Sequence, residues 1–76
     1  MKLPVVEAKT VIKILQLKGY KTIGQNGSHV QFKNEKGTII TVSVHPGRPI
    51  GRGLLRKIIR DLEVSRDEFI ELTQKV

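Results

Sequence analysis

Apolar residues recur with helical spacing near the start of the chain. Four of them stand at i, i+3, i+4 and i+7, the pattern of one buried helix face: Ala8, Val11, Ile12 and Leu15. We therefore predict a first helix from about Val5 to Lys18. Gly19 follows this segment directly and favours its termination, because glycine readily adopts the left-handed conformation that ends many helices.

The middle of the chain alternates apolar and polar residues, which is typical of strands. Two predicted strands, Tyr20–Gln25 and Ser28–Lys33, are separated by Asn26-Gly27, the strongest short signal for a hairpin. A turn at residues 34–37 leads to a third predicted strand, Thr38–His45. We expect an antiparallel meander that ends in a loop with two prolines, because proline cannot donate to a continuing ladder.

Two further helices are predicted after this loop. The first runs from near Gly51 to Leu62, with leucine and isoleucine on its buried face and arginines four residues apart on another: Arg52, Arg56 and Arg60. The second begins at Ser65, because Ser65-Arg66-Asp67-Glu68 has the sequence of a capping box. The order α-β-β-β-α-α predicts one α+β domain over residues 1–76, with a three-stranded antiparallel sheet and the helices packed on one face.

Strand alternation also sorts side chains between the two faces of the sheet. The apolar residues of the second and third strands must share the face that packs against the helices: Val30, Phe32, Ile40, Val42 and Val44. The opposite face then displays mostly polar side chains: His29, Gln31, Lys33, Thr41, Ser43 and His45, with Ile39 as an apolar exception. A two-residue turn at Asn26-Gly27 adds Tyr20 and Thr22 to that face.

The charge of the chain points to a class of partner. Fourteen Lys and Arg residues against seven Asp and Glu residues give a net charge of +7. The charge is uneven, since residues 1–60 contain 12 basic and 2 acidic residues, whereas residues 61–76 contain 2 basic and 5 acidic ones. A basic body of this kind indicates a polyanion partner, most often nucleic acid, ahead of a simple role in solubility.

Length and composition exclude several classes of protein. A chain of 76 residues can bury one modest core, which leaves no room for a separate cofactor domain, and we expect no small-molecule cofactor. There is no apolar run long enough for a membrane helix, and no signal peptide is expected. The absence of cysteine suits a reducing compartment. We therefore expect a cytoplasmic protein that has no membrane partner.

The available side chains do not favour a metal site or a serine nucleophile. Glu7 and Glu35 are the only carboxylates before residue 61, too few for the oxygen ligands of a metal-dependent nuclease. His29 and His45 lack an evident third ligand for zinc. A Ser-His-Asp arrangement also fails, because no acidic residue is placed to orient an imidazole.

RNA cleavage suits these side chains better. The 2′-hydroxyl of RNA is an internal nucleophile, so the protein need only move protons and stabilise negative charge. Histidine can act as the acid or base at neutral pH, and Lys and Arg can supply countercharge. Two solvated strand histidines are an equal interpretation of the same pattern. The candidate RNA contacts are Lys21, Lys33, Arg52, Arg56 and His45, although the arginines fit a plain solvated helix face equally well.

Several segments together resemble the HicA toxin family, also described as YcfA-like proteins. They are Val11–Leu15, Gly19-Tyr20, Gly27–Phe32, Thr41–Pro46, and Pro49-Ile50-Gly51 with Leu54–Ile59. The resemblance covers nearly the whole chain. It implies a fold like a double-stranded-RNA-binding domain, mRNA interferase activity in a type II toxin–antitoxin system, and a HicB-like antitoxin as partner. It also implies that the histidine of the Gly-Ser-His element, His29, is catalytic.

We therefore predict a metal-independent endoribonuclease that acts on mRNA, with His29 as general acid or base. The resemblance assigns no role to His45, which stays a candidate from its position alone. Two alternatives remain open. The first is a non-catalytic RNA-binding module that uses the same surface. The second is a structural or interaction protein, such as a small basic factor associated with the ribosome.

Overall fold

The computed structural model describes residues 2–76, which form three helices and three strands. In chain order they are α1 (Ala8–Leu17), β1 (Lys21–Asn26), β2 (His29–Lys33), β3 (Ile39–Ser43), α2 (Arg52–Leu62) and α3 (Arg66–Lys75). The predicted order α-β-β-β-α-α and the α+β class are confirmed. In this part of the chain, no helix has both the length and the apolar character needed to cross a membrane.

The three strands form one antiparallel sheet in the order β1-β2-β3. Pairing of β2 with β3 is regular, from His29 opposite Ser43 to Lys33 opposite Ile39. Pairing of β1 with β2 contains a β-bulge between Thr22 and Gly24. The bulge shifts the pairing by one residue, so that the first two residues of β1 change faces relative to a regular ladder.

The turn between β1 and β2 lies one residue later than the sequence predicts. Asn26 pairs with His29, so the two turn residues are Gly27 and Ser28. Gly27 has φ of +61°, and Ser28 has no positive φ. This is the sign pattern of a type II′ turn, which places glycine at its first central position. A turn at Asn26-Gly27 would instead need a positive φ at Asn26, which belongs to β1.

Tyr20 and Thr22 do not lie on the open face, so this part of the prediction is wrong. Tyr20 is only 5% exposed and belongs to the core. Thr22 pairs with Phe32 and therefore shares the face of that buried ring, while Lys21 pairs with Lys33. The physical reason is the bulge, because the extra residue reverses the alternation on the early part of β1.

The core lies between the sheet and the helices. Its most deeply buried side chains come from both layers: Val11, Ile14, Leu15, Phe32, Ile40, Val42, Leu55, Ile58 and Phe69. Among the described residues, no polar or charged side chain other than Tyr20 is buried. The apolar strand residues therefore turn toward the helices, and the other face of the sheet is left open, as the alternation predicts.

Two elements are shorter than predicted at the same end of the molecule. α1 begins at Ala8 rather than Val5, because the Val6 carbonyl accepts a hydrogen bond from the Ile50 N–H at 2.8 Å. Glu7 also pairs with Pro49 in an isolated bridge. β3 ends at Ser43 rather than His45. Both differences arise from long-range pairing and turning of the backbone, which local periodicity does not report.

α3 begins at the predicted capping residue and closes the core. The Ser65 Oγ accepts a hydrogen bond from the Glu68 N–H at 3.0 Å. Phe69 and Leu72 are buried on the inner face of the helix. Lys18, directly after α1, forms an ion pair with Glu68 at 3.2 Å. The C-terminal helix is thus part of the packed structure.

Candidate active site

His29 is the first residue of β2 and follows the Gly27-Ser28 turn directly. Its side chain is exposed, whereas Phe32 on the same strand is buried against the helices. Successive side chains of a strand point to opposite faces. His29 therefore lies on the face of the sheet that no helix covers, which we call the open face.

The strand register arranges the open face in three rows of side chains. Asn26, His29 and Ser43 form the first row, and Gly24, Gln31 and Thr41 form the second. The third row, at the other end of the sheet, contains Lys21, Lys33 and Ile39. None of the three rows contains a carboxylate. His29 therefore has hydroxyl and amide groups beside it and no anion in these rows to repel a phosphate.

Lys21 and Lys33 lie on the same face as His29 but not next to it. Lys33 is four residues from His29 along β2, which corresponds to about 13 Å at the usual rise of a strand. Lys21 is opposite Lys33 on β1. These two ammonium groups are therefore positioned to contact a part of a bound polyanion that lies beyond the imidazole.

His45 lies at the His29 end of the molecule, just past the end of β3. The Val44 N–H donates a hydrogen bond to the Ser28 carbonyl at 2.7 Å, so pairing continues one residue beyond β3. His45 then begins a turn, in which its carbonyl accepts from the Arg48 N–H at 3.0 Å. His45 is exposed and lines a groove of about 360 Å³, which we call the end groove: Glu7, Ala8, Lys9, Val44, His45, Pro46, Gly47 and Arg48.

Two helices begin beside the end groove. The Glu7–Pro49 bridge and the Ile50–Val6 hydrogen bond hold the start of α1 next to the segment that leads into α2. Neither N-cap residue, Glu7 or Gly51, caps its helix with a side-chain hydrogen bond. The first N–H groups of a helix carry partial positive charge. They place partial positive charge at the end of the molecule where His29 and His45 lie.

Arg52 and Arg56 are exposed on α2, on the helix side of the sheet. They line a small pocket with Lys2, Leu3 and Arg66. Because His29 is on the opposite face of the sheet, the two arginines do not join it on one surface. The candidate contacts thus fall into three places: the open face, the end groove and the helix side.

The carboxylates of the described residues do not assemble a metal site. Over residues 2–76, no three or more His, Cys, Asp or Glu side chains are grouped so that they could hold an ion. Glu7, the acidic residue of the end groove, forms an ion pair with Lys9 at 3.5 Å. Its negative charge is therefore partly offset within the groove.

Several members of these surfaces were not predicted from the sequence. Asn26 joins the row of His29 only because the turn is one residue later than expected. Lys9 and Arg48 reach the end groove through the Glu7–Pro49 bridge, for which the sequence has no local signal. The net charge of the first 60 residues was the only general indication that further basic side chains would gather at a site.

Comparison with protein families gives a match that includes the open face. The model of a family described as "HicA toxin of bacterial toxin-antitoxin" matches residues 8–64, well over half of the chain. The matched segment begins at the start of α1 and ends just before the capping residue of α3. A search of curated proteins found no match.

Proposed function

The chain belongs to the HicA toxin family of bacterial toxin–antitoxin systems, and on this premise we propose that it is a metal-independent endoribonuclease that cleaves mRNA in the cytoplasm. His29 is the proposed general acid or base. The observation that carries the proposal is the exposed imidazole of His29 in a row without carboxylates, at the same end of the molecule as His45 and Arg48.

The proposed reaction uses the 2′-hydroxyl of the RNA as the nucleophile. The 2′-oxygen forms a bond to the adjacent phosphorus, the bond from phosphorus to the 5′-oxygen breaks, and the products are a 2′,3′-cyclic phosphate and a free 5′-hydroxyl. A neutral imidazole at position 29 would accept the proton of the 2′-hydroxyl, and a protonated one would donate to the leaving 5′-oxygen. Such proton transfer typically contributes about 10²–10⁴-fold to a rate.

Side chains around His29 can stabilise the charge that develops on the phosphate. The Ser43 hydroxyl and the Asn26 amide share its row and are hydrogen-bond donors. Lys21 and Lys33 lie farther along the open face and are proposed contacts for a neighbouring phosphate. His45 and Arg48, in the end groove, extend the positive surface in the other direction.

Membership of the family implies an antitoxin partner. We propose that this partner is a HicB-like protein. An acidic surface on it would complement the net charge of +7 and speed its association with the toxin.

A comparison of three proteins tests the catalytic proposal. Wild type, His29→Ala and Gln31→Ala are expressed in a bacterial host, and growth and mRNA integrity are followed. Gln31 is exposed on the same strand and face but cannot transfer a proton, so it is the matched control. We expect growth arrest and loss of mRNA with wild type and Gln31→Ala, and neither with His29→Ala.

The same proteins are then incubated with RNA in the presence of EDTA. Continued cleavage by wild type supports metal independence, and cleavage that stops with EDTA contradicts it. The alternative of a non-catalytic RNA-binding module predicts salt-sensitive RNA affinity in all three proteins and intact RNA throughout. Circular dichroism should give wild-type melting temperatures for both variants, because both replaced side chains are exposed.

A further inference from the structure

Four basic side chains from three separate parts of the chain line one small pocket on the helix side of the sheet. They are Lys2 from the N-terminal segment, Arg52 and Arg56 from α2, and Arg66 from the first turn of α3. The fifth lining residue is Leu3, and the pocket has a volume of about 90 Å³. We call these four basic residues the helix-side cluster.

Such a concentration of positive charge needs a physical explanation. The ion pairs of Lys9, Lys18 and Lys57 with nearby carboxylates do not involve Lys2, Arg52 or Arg56. No lining residue is acidic. Because like charges repel one another, holding Lys2, Arg52 and Arg56 close together costs free energy, which a bound anion would offset.

Part of the cluster lies outside the segment that matches the family. Arg52 and Arg56 fall within residues 8–64, whereas Lys2 and Arg66 fall before and after it. The two flanking segments of this chain therefore complete the cluster, and a family assignment alone does not account for it.

We propose that the helix-side cluster binds the phosphate backbone of the RNA strand that flanks the cleavage site. This inference rests on the proposed function and adds a second contact surface to it. The strand would leave the open face at His29, cross the end groove beside His45 and Arg48, and reach Arg52 at the start of α2. It would thus follow a basic path around one end of the molecule.

An extended polyanion fits this arrangement better than an acidic protein segment. The pocket is too small to admit an element of another protein, whereas phosphate groups can bind at its rim. Arg52 and Arg56 are one helical turn apart, with Cβ atoms about 5–6 Å from each other, so they can contact separate phosphates of one strand. The guanidinium fork is well suited to bidentate contact with phosphate.

Binding measurements with two RNA lengths test the inference. Fluorescence anisotropy is measured in the His29→Ala background, so that the RNA stays intact, with unstructured RNAs of about 6 and about 20 nucleotides. We expect Arg52→Ala/Arg56→Ala to weaken binding of the longer RNA by at least about tenfold near 0.1 M salt and the shorter RNA by less. The salt slope is the magnitude of the slope of the logarithm of the binding constant against the logarithm of the salt concentration. For the longer RNA it should fall by about 1.4, which is about 0.7 for each lost phosphate contact.

Arg60→Ala is the matched control, and Lys2→Ala is a second test. Arg60 is on the same helix, one turn after Arg56, but lines a different pocket together with Asp61 and Glu63. Its removal should leave the affinity and the salt slope at their wild-type values. Lys2→Ala changes a residue before the first helix and should lower the slope by about 0.7 without any effect on helix stability.

A wild-type salt slope in both Arg52→Ala/Arg56→Ala and Lys2→Ala would overturn the inference. It would also be overturned if the double variant kept its RNA affinity but lost affinity for poly-glutamate, because the cluster would then be a protein contact. The failure of the proposed function has separate signatures, which are intact RNA after incubation with wild type or RNA cleavage by His29→Ala. The cluster variants contribute nothing to those results, so the two failures are distinguishable.

Discussion

His29 and Ser43 lie directly opposite each other across β2 and β3, on the open face of the sheet. Cross-strand neighbours of this kind have Cβ atoms about 4.5–5.5 Å apart. A side chain at position 43 is therefore close to the RNA phosphate that the His29 imidazole is proposed to contact. A small hydroxyl there leaves room for a phosphate and can donate a hydrogen bond to it, which makes position 43 a sensitive place to test the proposed site.

Replacing Ser43 by glutamate should reduce RNA cleavage by at least about tenfold, because a carboxylate beside His29 would repel the substrate phosphate. The measurement is the initial rate of cleavage of a labelled RNA. Gln74→Glu is the control, since it adds the same charge at an exposed position on α3. Equal rates in the two variants would count against a phosphate site at His29.

The parts of the fold that follow from local sequence were predicted well. Helical spacing defines α2, and the Ser65 cap defines the start of α3. At these positions the predicted and observed boundaries differ by at most one residue. Gly19, which follows the C-cap residue Lys18 of α1, has φ of +88°, as expected of a residue that ends a helix. In these segments, residues that are close together in the sequence determine where each helix begins and ends.

The errors concern pairing between distant residues. Neither the bulge in β1 nor the bridge between Glu7 and Pro49 has a signal in neighbouring residues, and they account for the burial of Tyr20 and the late start of α1. The placement of His29 on the open face needed only the alternation of β2. His45, Arg52 and Arg56 were candidates from the sequence. Their assembly with the other residues of the end groove and the helix-side cluster could not be predicted, because each site joins segments that are far apart in the chain.

The turn before His29 provides a second prediction. Gly27 has φ of +61°, a conformation that costs an L-residue with a Cβ roughly 1–2 kcal/mol. Gly27→Ala should lower the free energy of unfolding by about that amount in urea denaturation. Gly27→Asn should be milder, since asparagine is accepted better than alanine at turn positions that need a positive φ. Equal losses in the two variants would show that another feature of the turn is responsible.

Two leucines in different environments test the contribution of α3. Leu72 of α3 is 6% exposed, whereas Leu17 at the end of α1 is 59% exposed. Leu72→Ala should lower the free energy of unfolding by about 2–4 kcal/mol, because it leaves a cavity in the core. Leu17→Ala should change it by less than about 0.5 kcal/mol. If urea denaturation gave both variants the stability of wild type, α3 would not be part of the cooperative unit.

The hydroxyl of Tyr20, a residue that is 5% exposed, should make stability depend on alkaline pH. Burial raises the pKa of Tyr20 above its usual value of 10.0, the negative charges of Asp61 and Glu63 raise it further, and a hydrogen bond with Thr38 opposes the shift. The folded protein therefore resists ionisation of this group more than the unfolded chain does. The resulting stability is complete below pH 10 and is lost as the pH rises through the folded pKa.

Tyr20→Phe removes the ionisable group and should change this behaviour in a defined way. At pH 7, below the raised pKa of Tyr20, the variant should be within about 0.5 kcal/mol of wild type. Above pH 10 the stability of wild type should fall relative to that of Tyr20→Phe, since the unfolded wild-type chain ionises this phenol more readily than the folded protein does. Thr38→Val is the control, because it removes the hydrogen bond but keeps the phenol, and its stability should still fall at alkaline pH. Lysine titration affects all three proteins equally, so parallel curves for wild type and Tyr20→Phe would refute the role assigned to this hydroxyl.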